Sequence, residues 1–169
     1  MNPGANERAR MAASGGGARP PTLVPGIYTD YLPRALRGRE RDFFGYEFEA
    51  LPLAAGGTAN PTQGIDSTAD FLVTSITGSV RDPADVTVLF EAPPITLQIV
   101  DTAASRNLFS AAVDWVSMVG TGQLPSFLPY PKIIARSSVV RVDLTNLDAA
   151  NTYDVRLALV GFKIFGTRG

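Results

Sequence analysis

Apolar residues recur at every second position through most of this chain, and that spacing restricts the fold more than any other feature. Val140, Val142 and Leu144 alternate with Arg141 and Asp143 in a stretch running from Ser138 to Thr145. Tyr153, Val155, Leu157 and Leu159 form a second set within residues 152–165. Phe44, Tyr46 and Phe48 share one face, with Gly45, Glu47 and Glu49 on the other. Val86, Val88 and Phe90 alternate in the same way, as do Ile95, Leu97 and Ile99. Period two is the repeat of a strand with one buried face. Phe71 to Val80 adds a run rich in β-branched residues.

The last strand changes phase. Beyond Leu159 the apolar set becomes Val160, Phe162 and Ile164, which predicts a bulge or bend at Gly161. Asn107 to Val119 carries both spacings and reads as an extended segment with at most one helical turn. The following GTGQLPSFLPYP, with two glycines and three prolines, reads as loop. No helix is long enough to cross over a parallel sheet. An all-β fold follows, a β-sandwich or jelly roll of seven to eight strands over residues 42–169.

Residues 1–41 have a different composition, with six glycines, five prolines and six alanines. Such a segment cannot recover its ordering entropy from packing against itself, so it reads as an extended arm. It carries seven arginines against Glu7, Asp30 and Glu40, a net of +4; the remainder carries eight basic and thirteen acidic groups, a net of −5. The overall charge of −1 therefore conceals a basic arm on an acidic body. The first thirty residues hold no apolar run of signal-peptide length, and Trp115 to Pro131 is too broken by glycine and proline to span a bilayer. The expectation is a protein made in the cytoplasm without a membrane partner.

With no histidine and no cysteine, the chain lacks the commonest general base, the thiol nucleophile and the usual transition-metal ligands. Lys132 and Lys163 are not in an S-x-x-K pattern, which argues against serine catalysis. Glu47 and Glu49 fall on one strand face about 7 Å apart. A carboxylate-dependent hydrolase would need such a pair, but acidic residues on a solvent-facing strand are ordinary. Asp66 with Asp70, Asp82 with Asp85, and Asn146, Asp148, Asn151 and Asp154 are oxygen donors suited to calcium. None has EF-hand spacing, and turn formation is the plainer role for them. The expectation is a non-enzymatic protein with no cofactor and no metal.

Two groups of residues point instead to a protein partner. Arg34, Arg37, Arg39 and Arg41 cluster where arm meets body, with Tyr28 and Tyr31 just upstream. Arginine and tyrosine are favoured contact residues at protein interfaces, and a nucleic-acid role ranks behind because the body is acidic. Phe127 and Tyr130 lie in the proline-rich stretch, which either plugs one end of the core or contacts another subunit.

The block from Thr121 to Phe165 resembles small structural proteins of tailed bacteriophages. The residues that carry the likeness are Gly120, Gly122, Pro125, Leu128, Pro129 and Pro131, then Arg136-Ser137, Leu144-Thr145-Asn146-Leu147 and Gly161-Phe162-Lys163-Ile164-Phe165. The resemblance implies a virion component of jelly-roll type, such as a capsid cement or decoration protein. Proteins of that kind form oligomers, often trimers, and clamp neighbouring major capsid subunits. A neck or tail adaptor is the competing reading, and a glycan-binding β-sandwich is an alternative of another class. The glycan reading would need exposed aromatic residues, and Trp115 is the sole tryptophan.

Overall fold

The computed structural model describes residues 39–166. Ten strands and one helical turn occur among them, in the order β1 (Arg41–Leu53), β2 (Thr58–Ala59), β3 (Thr62–Gly64), β4 (Ala69–Arg81), β5 (Ile95–Asp101), β6 (Arg106–Asn107), β7 (Val113–Asp114), α1 (Trp115–Met118), β8 (Ser126–Ile134), β9 (Val139–Asn146) and β10 (Tyr153–Phe165). One sheet has the order β1-β10-β4-β8. The other has the order β2-β9-β5-β6, with β3 also on β9 and β7 also on β5. Because β2 and β3 are two stretches along one edge, and β6 and β7 two along the other, this second sheet is four strands wide. The strand-to-strand pairings are all antiparallel.

Numbered by their eight positions along the chain, the strands pair first with eighth, second with seventh, third with sixth and fourth with fifth. They thus nest as one long antiparallel ribbon, and the contacts β10–β4 and β9–β5 close it into a two-layer sandwich. The two inner faces meet in one core. Phe48, Phe71, Ile76 and Leu157 enter it from the first sheet, and Leu97, Ile99, Val142 and Leu144 from the second. These side chains are 0–2% exposed. Full burial of each is worth about 1.5–3 kcal/mol.

The apolar alternations over 46–48, 95–99, 140–144 and 153–159 therefore do enter the core, while Phe44, in phase with Tyr46, stays 37% exposed. The single turn Trp115–Met118 lies in the segment expected to hold at most one. Two expectations fail. Val86 to Phe90 is not a strand: Asp82 and Asp85 accept hydrogen bonds from the amides of Ala84 and Thr87, which bend the chain into consecutive turns. Only an isolated bridge between Leu89 and Arg81 remains.

The other exception is the proline-rich stretch, whose second half is strand β8. An edge strand tolerates proline because half of its backbone groups need no partner. Here Lys132 pairs with Val73 and Phe127 with Ser75, so Leu128 to Pro131, including both prolines of the strand, stand opposite the single residue Thr74.

Thr74 also breaks register on its other side, where Val160 pairs with Ser75 and Gly161 with Val73. The bulge expected near Gly161 is thus present, but the extra residue belongs to β4. Its hydroxyl donates to the Val160 carbonyl at 3.1 Å, occupying an acceptor that the broken ladder would leave open. β10 itself pairs with β1 in unbroken register from Arg41 to Ala50. Its odd-numbered residues keep facing inward, and it is the outer face that turns apolar at Phe162 and Ile164.

At this crossing β4 and β10 come so close that a Cβ on Gly161 would collide with the carbonyl oxygen of Leu72. Gly161→Ala should accordingly destabilise the fold by about 3 kcal/mol. Gly122→Ala, whose Cβ would meet nothing within 4 Å, should stay within about 0.5 kcal/mol of the parent. Urea unfolding of the two variants side by side measures the contrast.

Candidate subunit-contact surface

The side of β4 turned away from β10 organises the most apolar part of the surface. Passing from Phe71 to Arg81, it is lined first by Ile134 to Lys132, then by Phe127 and Ser126. Gly120 follows, accepting a hydrogen bond from the Gly78 amide at 2.8 Å, and then Phe90, whose amide donates to the Val80 carbonyl at 2.9 Å. Ten residues of strand rise make this rim about 33 Å long.

Large apolar side chains stand open along it: Leu124 is 79% exposed, Tyr130 73%, Leu89 57% and Phe127 55%. Val86 and Val88 extend the rim beyond Leu89, and both are exposed. Exposed large apolar side chains gathered along one side of a sheet are the composition expected of an interaction surface. Beside it Leu89, Phe90, Trp115 and Val119 border a groove of about 510 Å³ that also meets Arg81, Glu91 and Gln123.

Local chemistry holds the rim in shape. The Thr121 hydroxyl accepts from the Leu124 amide, and the Leu124 carbonyl from the Thr121 amide, each at 3.0 Å, so the chain turns back and Leu124 projects from the tip. Leu128, one residue from the exposed Phe127, goes the other way and joins the core. The stretch therefore contributes Leu128 to the core and leaves Phe127 and Tyr130 at the surface.

Of the remaining expected contact residues, Tyr28, Tyr31, Arg34 and Arg37 lie outside the described residues. Arg41 is exposed and opens β1, at the opposite edge of the sheet from β8. Arg39 precedes it. Three strand spacings, about 14 Å, separate those two edges. The two arginines and the Phe127–Tyr130 pair thus belong to different surfaces. Leu124 belongs to the same proline-rich stretch, whereas residues 86–89, which the spacing assigned to a strand, join the rim only in the fold. The prolines and aspartates flanking Val86 to Leu89 were the available sign that this apolar run could not join a sheet.

The carboxylates have structural partners. Asp66 accepts from the Thr68 amide and hydroxyl and from Lys163 Nζ at 2.9 Å, and these bonds hold its carboxyl well below the usual range. The Lys163 ammonium also sits 3.8 Å from the Phe44 ring centre. Asp148 accepts from the Asn151 side chain, the Ala150 amide and the Tyr153 hydroxyl, and is likewise held far below the carboxylate range. Asn146 spans the same corner, donating to the Ala54 and Asn151 carbonyls and accepting from the Asp148 amide.

Asp70 accepts from the Arg136 amide, and no group of three or more acidic residues suited to a metal occurs among the described residues. Asp101 is 2% exposed; its Oδ1 accepts from the Ala104 amide, and Arg106 lies 3.7 Å from Oδ2. Glu47 and Glu49 are exposed, and Glu49 pairs with Arg156 at 3.3 Å.

Trp115, the aromatic residue a glycan site would need at the surface, is 4% exposed. A Cβ on Gly78 would come within 2.8 Å of its indole, so the ring lies flush against the β4 backbone.

No protein-family model matches the sequence, and no curated protein does. Among solved structures, the infectious bursal disease virus VP2 subviral particle aligns with 9% identity and a TM-score of 0.35, over 76% of this chain and 33% of that one. The chain thus spans about a third of that protein. No helix among the described residues is long and apolar enough to cross a membrane.

The corner at Asp148 gives the fold a defined acid response. A carboxyl depressed in the folded state contributes stability above the unfolded value of 3.8, and that contribution is lost as pH falls below it. Tyr153, pushed up to about 12 by burial and by its bond to Asp148, acts in the opposite sense: its contribution is whole below 10.0 and lost toward 12. Urea midpoints should fall between pH 4 and pH 2, and Asp148→Asn should flatten that fall. Phenolate absorbance should show one tyrosine still protonated above pH 11.

Proposed function

We propose that this chain is a non-enzymatic structural subunit of a virion, of the cement or decoration kind, which binds neighbouring capsid subunits through its rim and its basic arm. The observation that carries this reading is the row of exposed apolar side chains on β8 and on the segments 86–90 and 120–124 that flank β4 beyond it. Phe127 and Tyr130 stand out from edge strand β8, and Leu89 and Leu124 from hydrogen-bonded segments beside β4, so their backbone is already ordered before they are covered. Burying each in an interface contributes about 1.5–3 kcal/mol.

The nested order of the sandwich, first with eighth through fourth with fifth, is the order of a jelly roll and supports the same reading. So does the resemblance of roughly residues 95–165 to structural proteins of tailed bacteriophages. The arm adds a second point of attachment, whose +4 charge complements an acidic neighbour. Two attachments on one subunit raise the effective concentration of each for the other. The subunit would act as a homo-oligomer, a trimer in this proposal.

The test combines a mass measurement with a binding assay. Sedimentation of the full chain should give about three times its 18.0 kDa mass. Leu124→Asp combined with Tyr130→Ala should weaken binding to undecorated shells of the encoding virus at least about tenfold, or 1.4 kcal/mol, without moving the melting temperature. Binding to tails or necks rather than shells would favour the adaptor reading. Unchanged shell binding in the double variant would remove the rim from the account.

A further inference from the structure

The buried positions of β5 are Ile95, Leu97, Ile99 and Asp101, so a carboxylate ends a row that otherwise builds the core. Asp101 is 2% exposed, and burying a carboxylate is costly unless its oxygens are bonded. Only half of that requirement is met. Oδ1 accepts from the Ala104 amide at 3.2 Å, whereas Oδ2 accepts no hydrogen bond. Arg106 approaches Oδ2 to 3.7 Å and stops short of hydrogen-bonding distance. A buried acceptor left in this state marks a place for a donor.

Asp101 borders a cleft of about 300 Å³ on the open side of the sandwich, between edge strand β6 of one sheet and edge strand β8 of the other. Arg106 and Lys132 border it as well. Arg106 is the cross-strand partner of Asp101, and Lys132 that of the core residue Val73. Cross-strand partners share a face, so the two cations occupy inward-facing positions, one on each sheet. The Arg106 side chain is 67% exposed, which leaves its guanidinium room to turn. Among the described residues no ion pair or hydrogen bond engages the Lys132 ammonium.

We propose that this cleft binds inorganic phosphate in its hydrogen-bearing form. Arg106 and Lys132 repel a cation, and Asp101 repels an anion that has no proton to offer. The ligand therefore has to donate one hydrogen bond to Oδ2 and accept several from the two cations. Hydrogen phosphate carries that set, with three oxygens that accept and one hydroxyl that donates. The Arg106 fork engages two of the oxygens and Lys132 the third, while Asp101 Oδ2 accepts from the hydroxyl. Two cations outweigh one carboxylate, so the field in the cleft favours an anion. The same Oδ2 supplies selectivity. Sulfate matches hydrogen phosphate in shape and charge but has no proton at neutral pH, so it sets an oxygen against Oδ2 with no hydrogen between them.

The full chain titrated at pH 7.5 with sodium phosphate or sodium sulfate, at constant ionic strength and followed by backbone amide NMR shifts, tests the proposal. Phosphate should shift the amides of Ala104, Arg106 and Lys132 saturably, and sulfate should bind at least about tenfold more weakly. Asp101→Asn keeps the oxygen that accepts from Ala104 and places an N–H donor where the open acceptor was, so it should remove or reverse the preference. Arg106→Gln with Lys132→Gln should lose binding of both anions. Equal binding of the two anions by the parent, shifts scattered over other surface arginines, or no saturable shift with phosphate would each overturn the proposal. The comparison of anions in the parent stands even where Asp101→Asn fails to fold.

Discussion

The crossing of β4 and β10 at Thr74 and Gly161 is the constraint on which the rest of the sandwich depends. β10 is paired on both sides along its length, with β1 and β4, so an irregularity there is transmitted to the whole sheet. Adding Thr74 to β4 changes which of its residues face inward. Phe71 and Val73 point to the core before the bulge, and Ile76 and Val80 after it. Leu72 is turned outward as a result and meets Phe162 and Ile133 there. Glycine at position 161 permits the close backbone approach that this requires. A local insertion thus gives the sheet two apolar faces at one end.

On the other side of β4 the same insertion disrupts the pairing with β8. Four residues stand opposite Thr74, and within that expansion Leu128 turns into the core while Tyr130 is thrown outward. The outer edge of β8, interrupted by prolines and bordered by turns, is a poor template for adding another strand. What it offers a partner is side chains. This suits side-chain docking against a neighbouring subunit better than edge-to-edge extension of the sheet.

Much of the sandwich was legible in the sequence because the alternating residues each have one buried face, and burial selects apolar side chains at every second position. Val140 to Leu144 and Tyr153 to Leu159 are the clearest cases. Val86 to Phe90 shows the same spacing for a different reason: its apolar residues are exposed on turns held by Asp82 and Asp85, so periodicity alone misassigns them. The Gly161 signal was real but ambiguous. An apolar set that changes parity is equally the mark of a bulge or of an outer face that becomes covered, and Phe162 and Ile164 reflect the second. Strand β8 was obscured by Pro129 and Pro131, whose tolerance depends on an edge position that only the sheet order reveals. Phe127 and Tyr130, with the stretch that holds Leu124, were anticipated as contact residues; Leu89 required the fold to bring its segment to the same side of the sheet.

The central claim is that the apolar rim formed by β8 and the segments beside it is the surface by which this protein adheres to a larger assembly. Amide hydrogen exchange of the full chain, alone and bound to shells of the encoding virus, tests it most directly. The account predicts slowed exchange in residues 86–90 and 120–131 on binding, with little change in β5 and β9. Slowed exchange confined to β2, β3 or the opposite sheet, with the rim unaffected, would contradict it.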